Sequence, residues 1–290
     1  MLGEKLFRAV LVGSTLLVTL LVAGIFVTLV GGSLESIAKF GLRFLFSTTW
    51  DPVKGVFGAA TFIVGTLLTS FIALAISLPF SLGVGILLGE YYNRGAIAGT
   101  IGVIIDLLAS IPSVVYGFWG IAVLVPLVRG LEVKIGVTPY GVGIFTSSLI
   151  LAVMIVPYSA SIASEVIRLV PGDMKRAAYA LGSTRYEVVR KIVLSYAQSG
   201  ILAGIMLSLG RALGETMAVT MVIGNVSKLP TTIFSPGNTL ASVIASEFTE
   251  STSALHQSAM IELALVLFLL TTLINWIAHL TINRMRNRNA

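Results

Sequence analysis

The chain has no cysteine and only two histidines, His256 and His279. The first absence excludes disulfides, thiolate metal sites and a cysteine nucleophile. Two histidines are too few for a histidine-rich metal site. Charge is scarce as well: 11% of residues are Asp, Glu, Lys or Arg, against about a quarter in a soluble domain. No G-x-x-x-x-G-K-[ST] phosphate loop occurs, so that nucleotide-binding element is missing. No tandem repeat is visible, which argues against a self-sufficient, ion-coupled secondary transporter. Neither a nucleophile–base set nor a metal cluster that would make an intramembrane enzyme is found.

What the 290 residues do have is apolar surface: 56% are hydrophobic and the mean hydropathy is +0.97. Apolar runs longer than about 20 residues recur, and each can cross ~30 Å of hydrocarbon as a helix. The short alternating strands of a membrane barrel, about 10 residues each, are not there. The expected fold is an all-α polytopic membrane protein, a single transmembrane domain over residues 1–290. Six spans are expected at 8–31, 59–89, 97–128, 139–167, 193–223 and 257–281. The uncharged run from Ala9 to Leu34 exceeds the apolar core of a cleaved signal peptide, about 7–15 residues, and reads as a retained first span. Pro79, Pro112, Pro126 and Pro157 fall in spans two to four. They point to kinked helices around a path, or to kinks in a purely structural bundle.

Twelve Lys/Arg, Arg94, Arg286 and Arg288 among them, fall on the side of the N-terminus and six on the other. That bias puts both termini in the cytoplasm. The net charge of +6 then reflects cytoplasmic loops and anionic lipid headgroups rather than nucleic acid. The outer loop 32–58 carries Phe40, Phe44, Phe46 and Trp50 and reads as an interfacial helix or turn, or as an ordinary solvated loop. The outer loop 224–256, with LPTTIFSPGNT, reads as a gate-side loop, a contact for an external partner, or again a solvated loop.

The longest polar break is RLVPGDMKRAAYALGSTRYEVVRK, residues 168–191, with six Lys/Arg. Asp173 can cap a short helix. Met174, Ala177, Ala178 and Leu181 form an i, i+3, i+4, i+7 stripe. Gly182 can stop the helix in a left-handed turn. Thr184 and Glu187 have capping-box spacing for a second helix. A small ridge centred on alanines, flanked by Lys175 and Arg176, fits a groove on another protein; the alternative is an amphipathic helix lying on lipid.

In span five, Arg211 and Glu215 are four residues apart, on one face of a continuous helix. A charge at mid-bilayer costs at least about 2.5 kcal/mol, so the pair has a purpose. Arg211 offers a guanidinium fork to a passing oxyanion, or the two form a structural ion pair. Gly200, Gly204, Ser208 and then Gly210, Gly214 are small residues at four-residue spacing, which permit close helix approach. Asp106 in span three and Glu262 in the outer half of span six either line a path or bond an interhelical partner.

The 168–192 loop resembles the cytoplasmic signature of ABC importer permeases, Glu-Ala-Ala, three residues, Gly, nine residues, Ile-x-Leu-Pro. Ala177, Ala178, Gly182, Ile192 and Leu194 fall on the pattern, while Arg176 stands in place of its Glu and Ser195 in place of its Pro. The stretches LLASIPSVVYGFWG, GRALGETMAVTMVIGN, PGNTLASVIASEF and TTWDPVKGVFGAATFIVGTLLTS resemble one of the two permease subunits of the phosphate-specific importer. The resemblance implies a coupling helix seated on a separate ATPase through Met174, Arg176, Ala177, Ala178, Leu181 and Gly182. It implies a second, PstA-like permease, two ATPase subunits that bind ATP and Mg, and an external phosphate-binding protein. It also implies a prokaryotic cytoplasmic membrane, no cofactor on this chain, and a transport role for Arg211 and Glu215. Sulfate and molybdate permeases share the architecture and remain the alternative.

Overall fold

The computed structural model describes residues 2–93 and 95–288; Arg94 and the side chains of Arg286 and Arg288 lie outside what it describes. Thirteen helices follow in chain order: α1 (Leu2–Phe40), α2 (Arg43–Phe46), α3 (Ala60–Ile86), α4 (Ala96–Ser110), α5 (Ser113–Trp119), α6 (Val125–Ile135), α7 (Ile144–Arg168), α8 (Gly172–Ala180), α9 (Arg185–Glu187), α10 (Leu194–Leu213), α11 (Met217–Val222), α12 (Leu240–Glu247) and α13 (Ala254–Arg288). Turns of π-helix extend α3 (Leu87–Tyr91), join α5 to α6 (Gly120–Leu124) and join α9 to α10 (Val188–Val193). Among the described residues six stretches are long and apolar enough to cross a membrane. The number matches expectation, and the boundaries differ in instructive ways.

The first span runs on to Phe40 rather than 31, the fourth is Ile144–Arg168, and the last begins at Ala254. The third is not one helix over 97–128. Pro112 has no N–H and pushes the residue before it out of the helical region. Ile111 accordingly adopts ψ 126° and α4 stops at Ser110. The membrane-length stretch is Ser113–Ile135, with α4 as a shorter apolar helix before it. Pro79 and Pro157, by contrast, lie inside unbroken helices.

The body is built on α7, which packs against α3 on one side and α10 on the other; α1 packs on α13 at the edge. Gly200 and Gly204 set the α7–α10 contact. A Cβ on Gly200 would stand 2.5 Å from Val166, and one on Gly204 would stand 2.9 Å from Ile162. Four residues up α10 thus correspond to four down α7, as in any close antiparallel pair. Gly210 and Gly214 have no such neighbour among the described residues.

The 224–256 segment is not a free loop. Thr239 caps α12, whose Leu240, Ala241, Ser242 and Val243 are all buried. The Leu240 N–H donates to Thr66 Oγ1 of α3 at 2.9 Å. The Asn238 carbonyl sits where a side chain on Gly65 would be, 2.0 Å from a Cβ built there. The irregular backbone before α12 is bonded to the body: Gly143 donates to Val222 O, Ile144 to Ser235 O, Phe145 to Ile233 O and Gly237 to Ile223 O. Such pairing lets non-helical backbone sit inside a membrane protein. The segment between α1 and α3 is equally anchored. Phe44, Phe57 and Phe62 are buried with Leu240, Val243 and Leu263, and Trp50 donates to Glu247 at 2.8 Å. Phe46 alone of the four aromatics singled out there is largely exposed.

Candidate functional site

Arg211 lies in the last turn of α10, where the helix dipole favours a cation. Its guanidinium carbon stands 4.3 Å from the ring centroid of Tyr158, on α7. The register set by Gly200 and Gly204 places Ser208 opposite Tyr158, and Arg211, about one turn further along α10, reaches the ring with its long side chain. Tyr158 is itself held. Its hydroxyl donates to Ala109 O at 3.0 Å, and the Tyr116 hydroxyl donates to Leu108 O at 2.8 Å. Those acceptors are among the last carbonyls of α4, where Pro112 ends the helix and offers no N–H; Leu108 O also accepts from Ile111 N–H at 3.4 Å. The helix end at Pro112 therefore leaves Ala109 O free to fix the ring beneath Arg211. Tyr158, Leu207, Gly210, Arg211 and Asn275 line a partly open cavity of about 380 Å³, with walls from α7, α10 and α13.

Glu215 does not join this group as the spacing predicts. α10 ends at Leu213, and Gly214, Glu215 and Thr216 form a non-helical link to α11. The shared helical face is lost, and no ion pair between Arg211 and Glu215 occurs among the described residues. Asp106 lies on an exposed face of α4. Glu262 is buried on α13, on the side where Ser258 Oγ accepts from Ser36 N–H and Ile261 crowds Gly32 of α1. It is not among the residues lining the Arg211 cavity.

The 168–191 loop forms the expected two helices. Ser183 N–H donates to Ala178 O and Gly182 N–H to Tyr179 O, with Gly182 at φ +85°, a left-handed stop with both its bonds. Thr184 and Glu187 make the capping box. Asp173 does not cap α8; the N-cap is Pro171, and Asp173 pairs with Arg176 one turn on. The stripe divides. Ala178 packs inward with Ile167, Val170, Val188 and Val193, because the loop folds back on the ends of α7 and α10. Met174, Ala177 and Leu181 stay exposed, Leu181 at 88%.

Comparison with known proteins decides the family. Residues 81–287 match the family model described as "Binding-protein-dependent transport system inner membrane component". The chain belongs to this family. It is 43% identical to "Phosphate transport system permease protein PstC" of Haemophilus influenzae, an alignment covering 98% of this chain and 94% of the relative. It is 41% identical to the protein of that name in Mesorhizobium japonicum, with 99% and 92% covered. "Probable phosphate transport system permease protein PstC" of Methanocaldococcus jannaschii is 32% identical, with 88% and 85% covered. Among solved structures, a chain of the inward-facing MetNI methionine ABC transporter is similar in fold at TM-score 0.58 and 18% identity, covering 79% of this chain and 94% of that one. The chain is a multi-pass membrane component of a binding-protein-dependent transport system.

Three groups near these sites escape a reading of the sequence alone. Tyr158 and Asn275 stand at the Arg211 cavity, and only the helix register reveals them. Glu90 forms a largely buried ion pair with Lys175. Arg168 donates to Leu88 O at 3.2 and 3.3 Å, and Arg185 covers the Tyr91 ring at 4.0 Å. The π turn at the C-terminal end of α3 is thus gripped by three basic residues at the α7 end and in the 168–191 loop.

Proposed function

We propose that this chain is a permease subunit of an ATP-driven importer that moves inorganic phosphate across the cytoplasmic membrane of a prokaryote. Both termini face the cytoplasm. It works beside a second, PstA-like permease and two ATPase subunits, and receives phosphate from an external binding protein. ATP and Mg belong to the ATPase subunits; this chain carries no cofactor and hydrolyses nothing. The observation that carries the reading is Arg211. It is a permanent cation on a membrane span, at a cavity walled by three helices and without an acidic partner among the described residues. A guanidinium so placed matches a tetrahedral oxyanion. The relatives named for phosphate transport support that choice of anion.

At the inner end, Met174, Ala177 and Leu181 present the apolar face that docks on the ATPase, with Arg176 at the rim and Gly182 fixing the angle between the two short helices. Ala178 supports the face from behind. Closure of the ATPase pair moves α8, and α8 moves α10 and the end of α3 through the contacts described above. Asp106, Glu215 and Glu262 stand apart from the anion contact, so the cavity keeps its positive character.

Reconstitution tests this. The complete complex in proteoliposomes takes up phosphate on addition of ATP and loaded binding protein. Arg211→Gln abolishes uptake while the complex still assembles. Transport of sulfate or molybdate instead of phosphate, or phosphate uptake by this chain without an ATPase, overturns the proposal; loss of assembly in Arg211→Gln assigns Arg211 to structure.

A further inference from the structure

The cavity at Arg211 is lined by two more polar residues, Tyr158 and Asn275, and each has a feature that bare packing does not require. A guanidinium lying over an aromatic face is held by the ring's negative quadrupole. Here the guanidinium carbon stands 4.3 Å from the ring centroid, and the guanidinium keeps its five N–H donors for other partners. No hydrogen bond engages those N–H groups among the described residues. The ring that supports the face is fixed at its far end by the hydroxyl bond to Ala109 O, 3.0 Å long. Tyr158 therefore sets the position from which Arg211 presents its donors.

Asn275 comes from a third helix. The neighbouring polar residues of α13, Thr271 and Thr272, turn their hydroxyls back onto Leu267 and Phe268 carbonyls. Asn275 has no such bond among the described residues, and its amide oxygen is the nearest atom to a side chain built on Gly210, at 3.5 Å. An uncommitted amide on a membrane span needs a polar partner, and it supplies two N–H donors. Its neutrality matters too. A carboxylate of the same shape would pair with Arg211 and repel an oxyanion.

We infer that Tyr158, Arg211 and Asn275 form one transient oxyanion contact: Arg211 and Asn275 donate to the anion, and Tyr158 is the positioning residue that holds the guanidinium at the cavity. The inference rests on the proposed passage of phosphate past Arg211. Two donors on different helices hold an anion only while α10 and α13 keep this separation. Movement of α10 therefore weakens the grip without any group having to titrate.

The test uses the complete importer in proteoliposomes, reading phosphate uptake, ATP hydrolysis stimulated by the loaded binding protein, and recovery of the assembled complex. Asn275→Asp cuts uptake by about 10-fold or more, the scale of a lost charge-assisted hydrogen bond, while stimulated hydrolysis persists, so ATP spent per phosphate rises. Tyr158→Phe keeps the ring and stays within about 3-fold of the parent, whereas Tyr158→Leu falls about 10-fold. A purely structural role would lower assembly and hydrolysis together and leave ATP per phosphate unchanged, which overturns the inference. Should Asn275→Asp fail to assemble, Asn275→Ala decides: reduced uptake with hydrolysis retained supports the contact, and parental uptake overturns it. Parental uptake in Asn275→Asp and Tyr158→Leu with a dead Arg211→Gln removes this inference alone. Parental uptake in Arg211→Gln removes the phosphate path at Arg211 as well.

Discussion

α1 and α7 show how differently two spans of one protein meet their surroundings. α1 is the most apolar of the six, yet none of its apolar window is buried by the rest of the chain. α7 is among the less apolar, and 61% of its window is buried. The buried positions of α7 include Thr146, Ser147, Ser148, Ser159 and Ser164, with hydroxyls that mostly bond backbone carbonyls, as Ser148 does to Ile144 O at 2.7 Å. In water, apolar character marks the inside. Here the solvent is hydrocarbon, so greasiness marks contact with lipid, while small and hydroxylated residues mark close packing between helices. α7 is the element the rest of the chain is built on, and α1 is attached through α13.

The comparison can be pressed with one leucine at a time. The largest effect is expected for Gly85→Leu on α3. The Cβ would stand 2.6 Å from Ala163 Cβ on α7, and an alanine cannot rotate away. Destabilisation of about 3 kcal/mol or more is expected, read as loss of monodisperse complex in detergent. Gly204→Leu on α10 is milder, because the nearest atoms, Ile162 Cγ2 at 2.9 Å and Cβ at 3.0 Å, stand further off than the obstacle at Gly85. A cost of about 1–2 kcal/mol is expected as a lowered Tm with folded protein still recovered. Gly13→Leu on α1 meets nothing within 4 Å, and its Tm should stay within the noise expected of about 0.5 kcal/mol. If Gly13→Leu proved as harmful as Gly204→Leu, α1 would be packed on something other than lipid and the contrast would fail.

The same contrast explains which features the sequence discloses. The number of spans is legible because each must carry its own apolar length. Gly182, Thr184 and Glu187 are legible because capping is local, and each bond closes within five residues. The end of α10 is not. Gly200, Gly204 and Gly214 look alike in sequence, yet the first two sit against α7 in an unbroken helix and the third ends it. Reading them as equivalents placed Glu215 on the face of Arg211. The inward turn of Ala178 is hidden for a similar reason: it depends on where Val170 and Val193 arrive, not on the stripe's own period. Residues 240–243 are hydrophobic enough to suggest burial, but the empty side of Gly65 that receives the chain before them is known only once α3 is placed. Tyr158 and Asn275 belong to the same class, since their nearness to Arg211 is a property of three helices in register.

The π turns at Leu87–Tyr91 and Val188–Val193 flank the two-helix loop, one at the C-terminal end of α3 and one between the loop and α10. A π turn accommodates one residue more than a regular turn and spans its hydrogen bonds over five residues. Removing or shifting that extra residue turns everything beyond it by about 100° around the helix axis. α3, which the loop grips, therefore ends in a built-in swivel, and α10, into which the loop leads, begins with one. A displacement of the loop that reaches α10 as a rotation, not only as a push, would turn Arg211 relative to Tyr158 and Asn275 while the helix above Leu194 stays intact.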